Sequence, residues 1–377
     1  MIINTNILQG VCKQILDAVD TSAGVQDIVN ETLELETIEK KLYLNVTNKE
    51  YYVSVAIDLD DEVKGFKAVV EAQLFLSLIA KITTKEVELI VDDSTTLIVK
   101  GNGTYKLPMI YDIDDLVELP KIEIHNVTST QLVSSEILNS ILNFNSKEVN
   151  KNVVMKPVQK LYYLDENGCF TWTPSSSCIN SFNLTSPIKI LLNAKLVKLF
   201  KLFKNGDVTL SLGFDEEGSM IKQKVKFEKD NVSITAIISN DTQMLNSASA
   251  PATQHRKAVS MNYPYNTVFK RADLIEAINR ILLFSASKLN SDAGRFVFTS
   301  DYVTISDIRG ENTENVAYSN TKLDKETSFE TAMDLNTFKT TLEGCQDEFI
   351  TLSFGANNIV VITRGKVKNV IAQMRMR

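Results

Sequence analysis

The chain has 377 residues, with 40 Lys and Arg against 47 Asp and Glu and a formal net charge of −7. One hydrophobic core does not serve that length, so two or three domains of about 120 residues each are expected. Hydrophobic content of 44% and charged content of 23% are those of a soluble globular protein, and no apolar run approaches the roughly twenty residues that span a bilayer. The opening MIINTNILQG has neither a basic n-region nor a continuous apolar h-region, so no export signal is read and a cytoplasmic location is expected.

Along the chain one layout recurs three times: a helix, short strands, a second helix, more strands. The first helices are expected near Asn6, Thr130 and Lys270 and the second near Ala72, Asn193 and Asp334, a spacing of roughly sixty-odd residues. In the first unit Ile7, Val11, Ile15 and Val19 make one apolar stripe on a helix from Asn6 to Asp20. TLELET, LYLNVT and YYVSVAIDL alternate as strands do. EAQLFLSLIAKI is the second helix, and VELIVDD, TTLIVKG and TYKLPMI close the unit as a meander, with turns at Asp92-Asp93-Ser94 and Gly101-Asn102-Gly103.

The second unit reads as a strand KIEIHNV, a helix TQLVSSEILNSILNF and a hairpin around Asn167-Gly168. A helix NAKLVKLFKLFKNGD ended by Gly206 follows, then three strands. LNSASAPATQHRK (Leu245 to Lys257) is rich in Ser, Ala and Pro with little periodicity and reads as a linker. The third unit has helices KRADLIEAINRILLFSA and DLNTFKTTLEG and ends on FITLSFG, NIVVITRG and KNVIAQMRMR. The fold class is α+β, three repeated domains at 1–121, 122–250 and 251–377, each an antiparallel sheet with two helices.

Catalytic equipment is missing. There is no P-loop, no G-x-G-x-x-G opening a helix, no nucleophile elbow and no H-E-x-x-H. His125 and His255 are isolated, and Cys12, Cys169, Cys178 and Cys345 lack metal or disulfide spacing. The acidic runs DLDDE (Asp58 to Glu62) and DIDDL (Asp112 to Leu116) lack the ligand order of a calcium loop and read as solvated strand ends. The pattern calls for no enzyme, no cofactor and no metal.

The basic signal is concentrated. Lys189, Lys195, Lys198, Lys201 and Lys204 occur with no acid between them, and on a helix Lys195, Lys198 and Lys201 fall opposite Val197, Phe200 and Phe203. A solvated helix face is the plain reading of such a run. The other helices also carry bases on their polar sides: Lys13, Lys81, Lys147, Arg280 and Lys339. Basic helices in an acidic protein follow if the helices face one polyanion and the sheets face water.

At this point the chain resembles the bacterial DNA polymerase III beta sliding clamp family, as a divergent member whose Asn-, Ile- and Lys-rich wording suggests phage encoding. The resemblance rests on NVIAQMRMR at the C-terminus, YKLPMIYDIDDL (Tyr105 to Leu116), the VAIDLDDEV strand end and AINRILLFSAS (Ala277 to Ser287). It implies the DNA clamp fold: a head-to-tail homodimer closing a ring, helices lining the hole. It also implies a function, that of a processivity factor encircling double-stranded DNA without sequence preference and tethering a polymerase. The partners implied are DNA, polymerase, clamp loader, other clamp-binding peptides and a second copy of the chain, with no membrane.

By the same resemblance the dimer contact falls on Tyr105 and Leu107 in one copy and Leu283 and Phe284 in the other; core packing within a domain is the competing reading. The family's partner groove falls on Arg256 and Val259 in the linker and on Val370, Met374, Arg375 and Met376 in the last strand. Core packing is equally open for Val370. The chain departs from the family at Gln373, where Pro is usual, at the extra Arg377, and at TPSSSCIN (Thr173 to Asn180), which replaces Asp-Gly-His-Arg. Two other classes compete: a repetitive β-rich virion protein, which needs no lysine face on a helix, and a divalent-metal enzyme using the Asp58 or Asp112 cluster.

Overall fold

A computed structural model describes residues 1–19, 28–48, 50–92, 95–150, 155–217, 220–285, 292–319, 323, 327–345, 347–356 and 358–374. The first repeat runs β1 (Ile2–Asn4), α1 (Thr5–Ile15), β2 (Thr32–Ile38), β3 (Lys41–Thr47), β4 (Tyr51–Asp58), β5 (Lys67–Glu71), α2 (Ala72–Ile79), β6 (Glu86–Asp92), β7 (Thr96–Lys100) and β8 (Thr104–Pro108). A two-strand ribbon, β9 (Tyr111–Asp112) with β10 (Asp115–Leu116), follows. The second repeat runs β11 (Asn126–Ser134), α3 (Ser135–Ser140), a π turn (Ile141–Asn145), α4 (Ser146–Val149), β12 (Tyr162–Asp165), β13 (Gly168–Trp172), β14 (Ser176–Ser181) and β15 (Lys189–Leu192). It ends with α5 (Ala194–Lys198), a 3-10 turn (Leu199–Leu202), β16 (Asp207–Glu217), β17 (Met220–Lys229) and β18 (Val232–Ile238). A helix, α6 (Thr242–Val259), leads into the third: β19 (Tyr265–Lys270), α7 (Arg271–Ser285), β20 (Ala293–Phe298), β21 (Tyr302–Asp307), β22 (Thr313–Ala317), β23 (Phe329–Asp334), α8 (Leu335–Glu343), β24 (Phe349–Ala356), β25 (Ile359–Arg364) and β26 (Val367–Ala372).

Each repeat makes the same two antiparallel ladders. In the first, β5-β2-β3-β4 form one and β1-β6-β7-β8 the other, and the later repeats copy both orders. The repeats are then stitched by strand pairing. β18 continues onto β4, with Ile234 opposite Val53, and β26 continues onto β14, with Val370 opposite Ser177. Two eight-stranded sheets result, β11-β16-β17-β18-β4-β3-β2-β5 and β15-β12-β13-β14-β26-β25-β24-β19. The middle repeat thus gives one ladder to each neighbour. The chain accordingly forms two compact units, Met1–Leu138 with Lys198–Asn240 and Asn139–Val197 with Asp241–Arg377.

The strands bury alternate or continuous apolar rows, as their sequences require. Leu33 and Leu35 of β2, Leu42 and Leu44 of β3 and Val53 and Val55 of β4 are inaccessible in the first unit. There Phe200 also meets Phe227 edge to face at 4.9 Å. In the second unit Phe269, Phe296, Phe298, Phe338 and Phe354 centre a core closed by Leu274, Ile278 and Ile281 of α7. The π turn brings Asn145 into a buried position, where its Nδ2 donates to Thr171 Oγ1 at 3.1 Å and to the Cys178 carbonyl at 3.3 Å.

Four local expectations are corrected. Thr130 lies in β11, not in a helix: Asn126–Ser134 is β-rich in Val and Thr and pairs with β16, so the helix starts five residues later at Ser135, and KIEIHNV is strand only at its end. The buried face of α1 is Thr5, Leu8, Cys12 and Ile15, while Ile7 is 52% exposed, because β1 and the Asn4 cap start the helix one residue early and rotate the stripe. Gly206, at φ +78°, serves the turn into β16; the helix before it already ends at Phe203. Most consequentially, residues 245–257 are not an extended linker but the middle of α6. Asp241 caps that helix by accepting from the Gln243 and Met244 amides at 2.8 and 3.2 Å, and its alanines favour helix where a Ser-Pro count alone suggests coil.

The hairpin joining β12 and β13 depends on one residue. Gly168 sits at φ +133°, and a Cβ there would lie 2.1 Å from the Asn180 carbonyl oxygen across the ladder. Gly168→Ala is expected to cost ~2–4 kcal/mol and to lower the thermal midpoint by about 5–10 °C, read by scanning calorimetry.

Candidate functional site

The residues expected to form a partner groove converge on α6. Its Ala248 and Ala252, one turn apart, are fully buried against Tyr163, Phe170, Trp172, Ile179, Leu191 and Val370. Phe170 and Trp172 stack with ring centroids 5.2 Å apart. Val370 is 2% exposed and faces this cluster, and Val259 packs on its border. The next turn of α6 carries the polar anchors. Arg256 donates to both carboxylate oxygens of Asp165, at 2.5 and 2.9 Å, the two-pronged geometry that makes such pairs strong. His255 Nδ1 lies 2.7 Å from Ser177 Oγ and its ring meets Phe170 edge on at 5.5 Å. Lys368 donates to the Val259 carbonyl at 3.1 Å, satisfying the C-terminal end of the helix.

Arg256, Val259 and Val370 are therefore brought together, and half-buried Val259 lines a surface pocket with Met261, Tyr263, Ser353, Val361 and Lys368. Arg256 is a strut and Val370 is core. Met374 makes an isolated bridge with Ala332 on β23, and Arg375 and Met376 lie outside the described residues. Sequence reasoning missed Asp165, Ser177, His255 and Lys368 here. The legible signal was Asp241 seven residues before Ala248, a cap followed by small residues four apart, which marks a helix with a narrow buried stripe.

The basic residues divide by partner. Lys13, Lys81, Lys147 and Lys198 are exposed and form no ion pair among the described residues. Lys195 is exposed on α5 as expected, with Leu196, Val197, Leu199 and Phe200 buried behind it. Lys201 is tied to Asp17 at 2.5 Å, Arg280 to Glu314 at 2.6 Å with Glu276 beyond, and Lys339 to Glu343 at 3.7 Å. Within the first unit α1 packs on α2, and the Lys201–Asp17 pair joins the turn after α5 to the end of α1. Within the second unit α4 packs on α8 and α8 on α7. Each unit thus sets its helices side by side and raises lysines from them.

The proposed contact residues also separate. Leu283 and Phe284 at the end of α7 are 76% and 58% exposed, large apolar groups facing water. Tyr105 on β8 is partly exposed, but Leu107 is buried opposite Leu97 in its own sheet; its side chain belongs to the core. Among the described residues β8 has no outward neighbour, and β22 is likewise the last strand of the order β22-β21-β20-β23. Asp58 in the first acidic run pairs with Lys41 and Asn231, and Asp112 and Asp115 face each other on the β9–β10 ribbon. Among the described residues no set of three His, Cys, Asp or Glu is arranged to hold a metal. No described helix is long and apolar enough to cross a membrane, and the four cysteines are buried and form no disulfide.

No family model and no curated protein matches the sequence. The fold nevertheless has close counterparts over the full chain. A sliding clamp (DNA polymerase III subunit beta) from Pseudomonas aeruginosa bound to griselimycin superposes with a TM-score of 0.79 at 13% identity, covering 100% of this chain and 99% of that one. The DNA polymerase sliding clamp from Bacillus subtilis gives 0.75 at 14% identity, and the DNA polymerase III beta subunit from Thermotoga maritima 0.76 at 12%, each with the same coverage. The chain has the fold of the bacterial beta sliding clamps from end to end.

Burial holds the His255 imidazole below its ordinary value, so the folded chain favours the neutral ring. As pH falls through the ordinary histidine value the unfolded state protonates first, and this contribution to stability, full above that value, declines toward the folded one. Melting at pH 7.5 and 5.5 is expected to show a smaller acid-induced drop in His255→Gln than in the wild-type chain.

Proposed function

We propose that this chain is a DNA sliding clamp: a non-enzymatic processivity factor that closes, as a head-to-tail homodimer, into a ring around duplex DNA in the cytoplasm. The observation that carries the reading is the pair of open edges. β18 finds β4 and β26 finds β14, whereas the strands in the corresponding places, β8 and β22, each five residues long, have no outer partner among the described residues. Joining β8 of one copy to β22 of another repeats the internal stitch, and doing so twice closes the assembly and removes both edges. Leu283 and Phe284 on α7 are the apolar groups such a junction would cover, with Tyr105 across from them. The division into three domains at 1–121, 122–250 and 251–377 belongs to this reading.

The whole-chain likeness to beta clamps supports it, and so does the charge pattern. An acidic body with unpaired lysines on its helices is suited to loose, sequence-independent phosphate contact. Lys13, Lys81, Lys147 and Lys198, with Lys195, are the groups we assign to DNA; Lys201, Arg280 and Lys339 contribute through a field their acidic partners weaken. Tethering then raises polymerase processivity by effective concentration alone. Polymerase, clamp loader and other clamp-binding peptides are the partners.

After loading, the clamp is expected to stay on a closed DNA circle and to run off a linear molecule of the same length; equal loss from both would exclude the ring. Lys13→Glu with Lys198→Glu should reduce loading about tenfold while leaving the melting midpoint within a few degrees. For the junction, Phe284→Asp is expected to convert a dimer into a monomer by mass in solution, a result that a core role for Phe284 does not produce without unfolding.

A further inference from the structure

We propose that the Asn205-Gly206 step is a self-modification site, where the chain converts its own asparagine amide into a carboxylate at the end of its most basic segment. The chemistry needs only water. The Gly206 amide nitrogen, after losing its proton to solvent base, attacks Cγ of Asn205; the new bond closes a cyclic imide as the bond to the side-chain nitrogen breaks and ammonia leaves. Water then opens the imide at one carbonyl or the other, giving aspartate or its β-linked isomer. Glycine in second place favours the step, because no Cβ shields its nitrogen.

The sequence has three such pairs, Asn102-Gly103, Asn167-Gly168 and Asn205-Gly206, and the fold treats them differently. Thr83 holds the Asn102 amide at both ends: Oδ1 accepts from the Thr83 amide at 2.7 Å and Nδ2 donates to Thr83 Oγ1 at 2.7 Å. Asn167 Nδ2 donates to Glu166 Oε1 at 3.3 Å, and the nitrogen that must attack belongs to Gly168, buried in the ladder opposite Asp165. Asn205 and Gly206 are exposed, and among the described residues neither the Asn205 side-chain amide nor the Gly206 N–H is hydrogen-bonded. Gly206 is held through its carbonyl, which accepts from the Ser135 amide at 2.9 Å. No bond has to break before this side chain turns toward the backbone nitrogen.

A second observation favours attack at this step. A Cβ built on Gly206 would lie 3.0 Å from Lys229 Nζ, so an ammonium group stands beside the Gly206 backbone, paired with Asp230 at the long distance of 3.8 Å. A positive charge there favours the nitrogen in its deprotonated, attacking form and the oxyanion that follows. The new carboxylate arises one residue after Lys204, which is exposed and forms no ion pair among the described residues. It offsets that charge. On the DNA-clamp reading, on which this consequence rests and the chemistry does not, the basic run loosens its hold on phosphate as the molecule ages.

The test holds the purified full chain, folded, in warm and mildly alkaline buffer and follows the three tryptic peptides by the mass gained as amide becomes carboxylate. Asn205 is expected to convert about tenfold faster than Asn102, whose two hydrogen bonds must break first, and faster than Asn167. In urea the three rates should converge, which assigns the difference to the fold. Lys229→Gln is expected to slow conversion of Asn205 about threefold. Asn205 converting no faster than the other two in the folded chain, or at a rate that Lys229→Gln leaves unmoved, overturns the site. Loading is scored separately: Asn205→Asp is expected to load on circular DNA roughly threefold less than the neutral control Asn205→Gln. If conversion follows the expected order while these two load equally, the modification stands and the DNA-facing assignment of the run ending at Lys204 falls.

Discussion

A strand at the margin of a sheet carries a row of N–H and C=O groups whose hydrogen bonds are unmade, and a protein built from repeated sheets must decide where every such row ends. In this chain the last strand of a repeat is satisfied by the fourth strand of the repeat before it, at β18 with β4 and at β26 with β14. All else in the architecture follows from that choice. It merges the ladders into two long sheets and divides the middle repeat between two compact units, while β8 and β22, in the places corresponding to the stitched strands, end their four-stranded sheets. Within each unit the helices pack beside one another, α1 on α2 in the first and α8 on α4 and α7 in the second.

Electrostatics then acts on that frame in a graded way. The acidic total is spread over strands and turns, and several bases are quenched close at hand: Arg280 by Glu314, Arg295 by Glu330, Lys224 by Asp215 in a nearly buried pair. Hydrogen bonds from Lys224 and from His125 hold the Asp215 carboxyl well below its usual range against the penalty of burial. Among the described exposed lysines without an ion pair, Lys13, Lys147 and Lys198 sit on helices, whereas Lys106, Lys189 and Lys270 sit on strands. For the sliding role proposed above, scattered ammonium groups would serve better than fixed two-pronged arginines, because they meet phosphate without defining a register.

Much of the fold was legible because periodicity survives in single elements. The strands from Thr32 to Asp58 lie where their period-two sequences put them, the Asn167-Gly168 hairpin lies where its dipeptide puts it, and the lysine face of α5 stands opposite Val197 and Phe200. Failures came where tertiary pairing overrode a local pattern. Thr130 sits among residues that suit either state, and pairing of β11 with β16 decides for strand. The segment from Leu245 to Lys257 hid its helix because its buried stripe is two alanines wide, too little apolar contrast to register as a period. The same narrowness hid the site: Arg256 and Val370 were placed in the right neighbourhood, but their engagement with Asp165 and with the alanine stripe depends on a helix that the residue types did not announce.

The stitching of β18 to β4 also fixes an order of events during synthesis. Val55 meets Val232 across that ladder, so β4 leaves the ribosome well over a hundred residues before its partner exists. At about 5–20 residues per second the outer edge of β4 stays open for on the order of ten seconds or more, a lasting invitation to pair with another nascent chain. The second stitch, β26 onto β14, waits until Val367–Ala372 has been made. The β4 edge that β18 covers in the finished sheet is therefore open while the chain is being made, and it closes only once synthesis has passed Ile238.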